Sequence, residues 1–126
     1  MALTASIFDG TIIKHKIVHQ STLNATPSID VTGESGLLKE IIITSASASN
    51  NYIKMTLTED TVTVGTTTPQ LMFRVNAGNQ TAQSQRWSIP DGVAFTKLNF
   101  WAVQGPNDSN TTAPGAGAVT ITVVTT

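Results

Sequence analysis

Few residues in this sequence have the type and spacing to do chemistry. His15 and His19 stand at i,i+4, which makes a metal pair on a helix. On a strand the same spacing separates them by ~13 Å, so two ordinary strand histidines and no metal site are expected. Glu59 and Asp60 are adjacent carboxylates. Strand neighbours face opposite sides, so the pair reads as a solvated acidic corner and not as an acid and its base. Asp91 lies in Pro90-Asp91-Gly92, where an aspartate bonds nearby backbone amides and makes a turn. Ser and Thr abound, yet no Gly-x-Ser-x-Gly elbow and no phosphate-cradling glycine loop accompanies them. Neither a catalytic residue nor a cofactor site is expected, and the chain reads as a non-enzyme.

The aromatic residues are the more informative group. Tyr52, Trp87, Phe100 and Trp101 could form a platform for the apolar face of a sugar, although two Trp in a small all-β domain more often fill a core or a subunit interface. Phe100 and Trp101 are consecutive on a predicted strand and should face opposite sides, so one of them is expected to lie on the outer face as an interface ring.

These residues must be positioned by strands. Segments rich in β-branched residues recur between clusters of Gly, Pro, Asn, Asp and Ser, and no stretch sustains a helical period. Residues 11–19 read as an edge strand or extended arm, interrupted by Lys14, His15 and Lys16. Residues 21–27 suggest a short strand stopped by Pro27, followed by a turn at Gly33-Glu34-Ser35-Gly36. Residues 36–47 read as a central strand with Leu37, Ile41 and Ile43 on one face. The cleanest alternation is in residues 52–59, sending Ile53, Met55 and Leu57 inward and Lys54, Thr56 and Thr58 outward. A connection around Gly65 leads to residues 70–76, with Leu71, Phe73 and Val75 toward the core and Arg74 toward solvent or a neighbour. Residues 84–89 and 93–103 read as two strands joined by the Pro90-Asp91-Gly92 turn. A polar loop over 104–117, longer than most connections in compact domains, precedes a final strand with Val119, Ile121 and Val123 inward. With no crossover helices to support a parallel sheet, the expected architecture is an antiparallel β-sandwich or jelly roll of about eight strands. The division expected is an arm or edge strand over 1–19 and the sandwich over 20–126.

Composition narrows the partners. A chain of 126 residues supports one core. Charged residues make up only 12%, with seven Lys and Arg against eight Asp and Glu, so no strong field draws nucleic acid or an anionic membrane surface. The longest apolar run, Ile41-Ile42-Ile43, is far short of the ~20 residues of a membrane-spanning helix. Absence of cysteine excludes disulfides and thiolate metal sites. The first nine residues lack the basic and apolar regions of a secretory signal.

From Ser21 onward the order of short motifs resembles a family of small structural proteins of tailed-phage virions. The residues carrying it are Ser21-Thr22-Leu23-Asn24-Ala25-Thr26, Tyr52-Ile53-Lys54-Met55, Thr63-Val64-Gly65-Thr66-Thr67-Thr68-Pro69, Ile89-Pro90-Asp91-Gly92-Val93-Ala94-Phe95 and Asn107-Asp108-Ser109-Asn110-Thr111-Thr112-Ala113-Pro114. The resemblance implies a capsid decoration, or cement, protein on the head of a bacteriophage. It would be assembled in the host bacterial cytoplasm, associate as a homotrimer and bind the major capsid protein. Two grips suit that role: the segment 2–19, including Ile12 and Ile13, and the loop 104–117, including Asn107 and Asp108. Arg74, Phe100 and Trp101 complete the expected interface. The competing expectation is a carbohydrate- or receptor-binding module of a tail fibre or baseplate, resting on an exposed ring near Trp101.

Overall fold

The computed structural model describes residues 3–9, 14–77, 81–115 and 118–126. Eight strands form: β1 (Leu3–Asp9), β2 (Lys14–Gln20), β3 (Gly36–Ser45), β4 (Asn51–Thr56), β5 (Leu71–Val75), β6 (Gln83–Phe95), β7 (Asn99–Val103) and β8 (Val119–Thr125). They make two antiparallel sheets, one ordered β1-β2-β8-β3-β6 and the other β5-β4-β7. No helix occurs among the described residues, so none there is long and apolar enough to cross a membrane. The expected all-β, two-sheet sandwich is therefore present.

Period-two patterning explains the packing. In β8 the side chains of Val119, Ile121 and Val123 are fully buried while Thr120, Thr122 and Val124 are half-buried on the other face. Ile41 and Ile43 of β3, Ile53 and Met55 of β4, Val75 of β5, and Phe100 and Ala102 of β7 join them in one cluster spanning both sheets. Phe73 of β5 and Trp87 of β6 close one side of the sandwich, their ring centroids 4.9 Å apart and their planes tilted by 54°. The outer face of the large sheet carries Thr44, Ser84, Ser88, Thr120 and Thr122, with one ion pair at its rim, Arg86 Nε to Glu40 Oε1 at 2.7 Å.

Several expectations change. The described part of the expected edge strand or arm, residues 14–19, is not at the sheet edge: β2 lies between β1 and β8, and Val18 is wholly buried in the core. The boundary expected between residues 19 and 20 thus falls inside β2. Lys16, which seemed to interrupt that strand, bonds the Thr32 carbonyl and pairs with Glu34 at 3.1 Å, so its charge is satisfied at the end of the sheet. Ile12 and Ile13 lie outside the described residues.

Pro90-Asp91-Gly92 does not reverse the chain. β6 runs straight through it, and the register of β3 against β6 jumps from Leu38↔Val93 to Glu40↔Ser88, so the extra residues bulge out opposite Lys39. The Lys39 ammonium caps the bulge by donating to the Pro90 carbonyl at 3.0 Å. Gly92 has φ +75°, and a Cβ there would stand 2.9 Å from Leu37 Cβ, so only glycine fits. The matching irregularity in β3 inverts side-chain parity, which is why Leu38 and not Leu37 is buried beside Ile41 and Ile43. Nor is 93–103 one strand. The chain leaves the large sheet after Phe95, turns with Thr96 and Lys97 amides bonded to the Leu57 carbonyl, and enters the small sheet as β7.

Residues 24–31 form an almost-strand along the free side of β7. Ala102 N donates to Asn24 O (2.9 Å), Ser28 and Phe100 exchange backbone bonds (2.9 and 3.1 Å), and Val31 N donates to Leu98 O (3.0 Å). Pro27, which has no amide hydrogen, breaks it into pieces too short for a regular ladder.

Candidate functional site: the loop-capped face of the small sheet

Four of the residues expected at an interface, Arg74, Trp101, Asn107 and Asp108, lie on or over the outer face of the β5-β4-β7 sheet, while Phe100 is in the core and Ile12 and Ile13 lie outside the described residues. Phe100 and Trp101 do face opposite sides: Phe100 belongs to the core cluster and Trp101 does not. Trp101 is nevertheless only 1% exposed, so the expected outward interface ring is buried within its own chain. Lys54, directly opposite Trp101 in the β4–β7 register, is also 1% exposed, and Thr56 is fully buried, although both point outward.

The long loop after β7 reaches over the Lys54 end of this face. Lys54 Nζ donates to the Asn107 carbonyl at 2.7 Å, fixing that loop over the face that Lys54 and Trp101 share. Asp108 stands near enough to act on the ammonium, and its Oδ2 accepts from Thr68 Oγ1 at 2.9 Å, which ties in the loop between β4 and β5. The two loops touch closely: Gly65, with φ +94°, has no room for a Cβ, which would sit 2.7 Å from Thr111 Cγ2. Gln104 anchors the base, its backbone amide donating to Thr112 O (2.9 Å) and its side chain to Ala113 O (3.0 Å). Asn107 and Asp108 themselves remain exposed on the crest, as does Arg74 on β5.

Burial holds the Lys54 ammonium below the ordinary lysine range, and the Asp108 carboxylate offsets part of that shift. A lysine depressed on folding binds fewer protons in the native state than in the unfolded chain. Stability attributable to Lys54 therefore rises with pH through the window from its folded pKa up to 10.5. In Lys54→Met that rise should vanish, which urea midpoints of the two proteins compared across alkaline pH up to 10.5 measure.

A second buried network holds the other end of this face. Asn99, fully buried, donates from Nδ2 to Thr56 Oγ1 (3.0 Å) and to the Glu59 carbonyl (2.7 Å), and its Oδ1 accepts from the Asp30 amide (2.7 Å). One side chain thus joins the 24–31 segment, β4 and the β4–β5 loop. Nothing in the sequence marked Asn99, because its importance lies in three partners far apart along the chain. Asn99→Ala leaves the buried Thr56 hydroxyl unpaired and frees the Glu59 carbonyl and the Asp30 amide, and should cost about 2–4 kcal/mol in equilibrium urea unfolding.

The residues first considered for chemistry are dispersed. His19 Nδ1 meets Thr122 Oγ1 at 2.8 Å on the outer face of the large sheet. Asp60 binds Lys97 at 2.8 Å, which lowers the carboxyl pKa chiefly through that hydrogen bond, in a fully solvated setting. Asp91 is exposed on the β6 bulge. Among the described residues no three His, Cys, Asp or Glu groups come together to hold a metal ion. Trp87 is half-buried against the core and Trp101 is covered, so neither Trp offers an open ring for stacking. Comparison with protein-family models, with curated proteins and with solved structures returns no match for this chain.

Proposed function

We propose that this chain is a non-enzymatic virion structural protein with a jelly-roll fold, a decoration protein on the capsid of a tailed bacteriophage. The observation that carries the reading is the strand order. With β1 set aside, the large sheet runs β2-β8-β3-β6, and the small sheet, counting the 24–31 segment, runs 24–31, β7, β4, β5. In chain order those are the first, eighth, third and sixth elements against the second, seventh, fourth and fifth, the arrangement that two Greek keys generate and that viral capsid domains use. Support also comes from the surface, where hydroxyls replace ions over the large sheet, a composition suited to close contact with other proteins.

In this reading the chain self-associates, as a trimer, and binds the major capsid protein on the outside of the particle after assembly in the bacterial cytoplasm. Asn107 and Asp108, held up on a rigid, latched loop, are contacts that need no ordering on binding, and symmetric copies add avidity. The tail-fibre alternative shares the jelly roll with lectins. It loses its motivating residue, since Trp101 is covered. Neither nucleic acid nor membrane is a partner in this proposal.

Purified protein mixed with expanded phage capsids lacking it should co-sediment until a fixed ratio to capsid subunits is reached. A chain that stays in the supernatant at every concentration would refute the assignment.

A further inference from the structure

Sheet edges present rows of unpaired backbone groups, and natural proteins blunt them with Pro, charge, bulges or short length. Three edges of this fold are blunted in that way. β6 carries Arg86, Pro90 and its bulge. β5 has only five residues, with Arg74 inside and Pro69 just before it. The 24–31 segment that shields β7 is broken by Pro27. β1 is the exception among the described strands. Its seven residues, Leu-Thr-Ala-Ser-Ile-Phe-Asp, contain no Pro, Lys or Arg, and all seven are in regular register with β2. On its other side β1 has no neighbouring strand among the described residues.

We infer that the free edge of β1 pairs with β1 of a second copy of this chain, antiparallel about a two-fold axis. The occupant follows from charge and symmetry. Antiparallel self-pairing is self-complementary, so one edge suffices to close the contact. Centring the ladder on Ser6 aligns the full length of both strands and sets Leu3 opposite Asp9. The two Asp9 residues, the sole charges in the ladder, then stand at opposite ends, roughly 20 Å apart and beyond the Debye length of about 8 Å. Two five-stranded sheets become one continuous sheet. The contact is distinct from the three-fold association of the proposed function. It does not rest on the capsid reading.

The test exploits the absence of cysteine. Residues opposite one another in an antiparallel ladder have Cα atoms about 4.5–5.5 Å apart, within reach of a disulfide. Under mild oxidation Ser6→Cys should cross-link into a covalent dimer at least about tenfold faster than Arg74→Cys or Arg86→Cys on the blunted edges. Ser6→Lys and Ser6→Glu should each weaken association of the otherwise unaltered chain about tenfold in sedimentation equilibrium, and an equimolar mixture should restore it. Circular dichroism checks that each variant is folded. Equal cross-linking rates at all three positions, or association insensitive to both charges, would overturn the inference. Capsid binding that persists with such a result would leave the proposed function standing and remove this contact alone.

Discussion

Trp101→Ala should destabilise the domain by about 3–5 kcal/mol, the range for deleting a large buried aromatic. Against total stabilities of roughly 5–15 kcal/mol for domains of this kind, that is about a fifth or more of the whole. The ring lies outside the central core, but it is 1% exposed and shares its face with Lys54, whose ammonium latches the Asn107 carbonyl. Deleting it leaves a cavity beside Lys54 and the loop that Lys54 latches. The latch, the Thr68–Asp108 bond and the Gly65–Thr111 contact would then lose their common support. Guanidinium unfolding followed by far-UV circular dichroism measures the loss. An unfolding free energy within about 1 kcal/mol of the parent would mean that the face is open and the ring free to meet a partner.

The second large effect concerns the amino-terminal strands. Deleting residues 1–20 removes β2, with its fully buried Val18 and Gln20, and strips β8 of one of its two neighbours. Gln20 Oε1 also accepts from the buried Ser28 hydroxyl at 2.5 Å, and its amide bonds Thr22 O at 3.1 Å, so the start of the 24–31 segment loses its tether. The expected cost is of the order of the whole stability, roughly 5–15 kcal/mol, and the truncated chain should show no cooperative thermal transition. Deleting 1–9 removes β1 only, which joins the sheet through β2 alone, and the remaining chain should still melt cooperatively. If both truncations melt alike, β2 is the detachable arm that its sequence suggests.

How far the fold was legible follows from where its information is local. Strands β4, β5 and β8 carry clean alternation, and Ile53, Met55, Leu57, Val75, Val119, Ile121 and Val123 are buried as the pattern requires. Patterning could not show the bulge at Pro90-Asp91-Gly92, because those residue types suit a reversal equally well, and with the bulge hidden the parity of Leu37 and Leu38 was inverted. The same tight spot hid the passage between sheets near Lys97, since Phe95, Phe100 and Trp101 read as one apolar run. For the candidate site, the opposite facing of Phe100 and Trp101 was readable, but their cover was not. Whether an outward ring meets water or a loop depends on Lys54 finding Asn107, 53 positions away. Asn99 is illegible for the same reason.

The central proposal is that this all-β domain serves to meet other proteins on a particle. An icosahedrally averaged electron cryomicroscopy map of virions from a phage genome encoding this chain would test that proposal most directly. The account predicts that this chain's two sheets fit density on the outer capsid surface, repeated in fixed ratio to the major capsid protein, with the Asn107–Asp108 crest or the β1 edge in contact. A capsid surface fully explained by other chains, with no density matching these sheets, would contradict it.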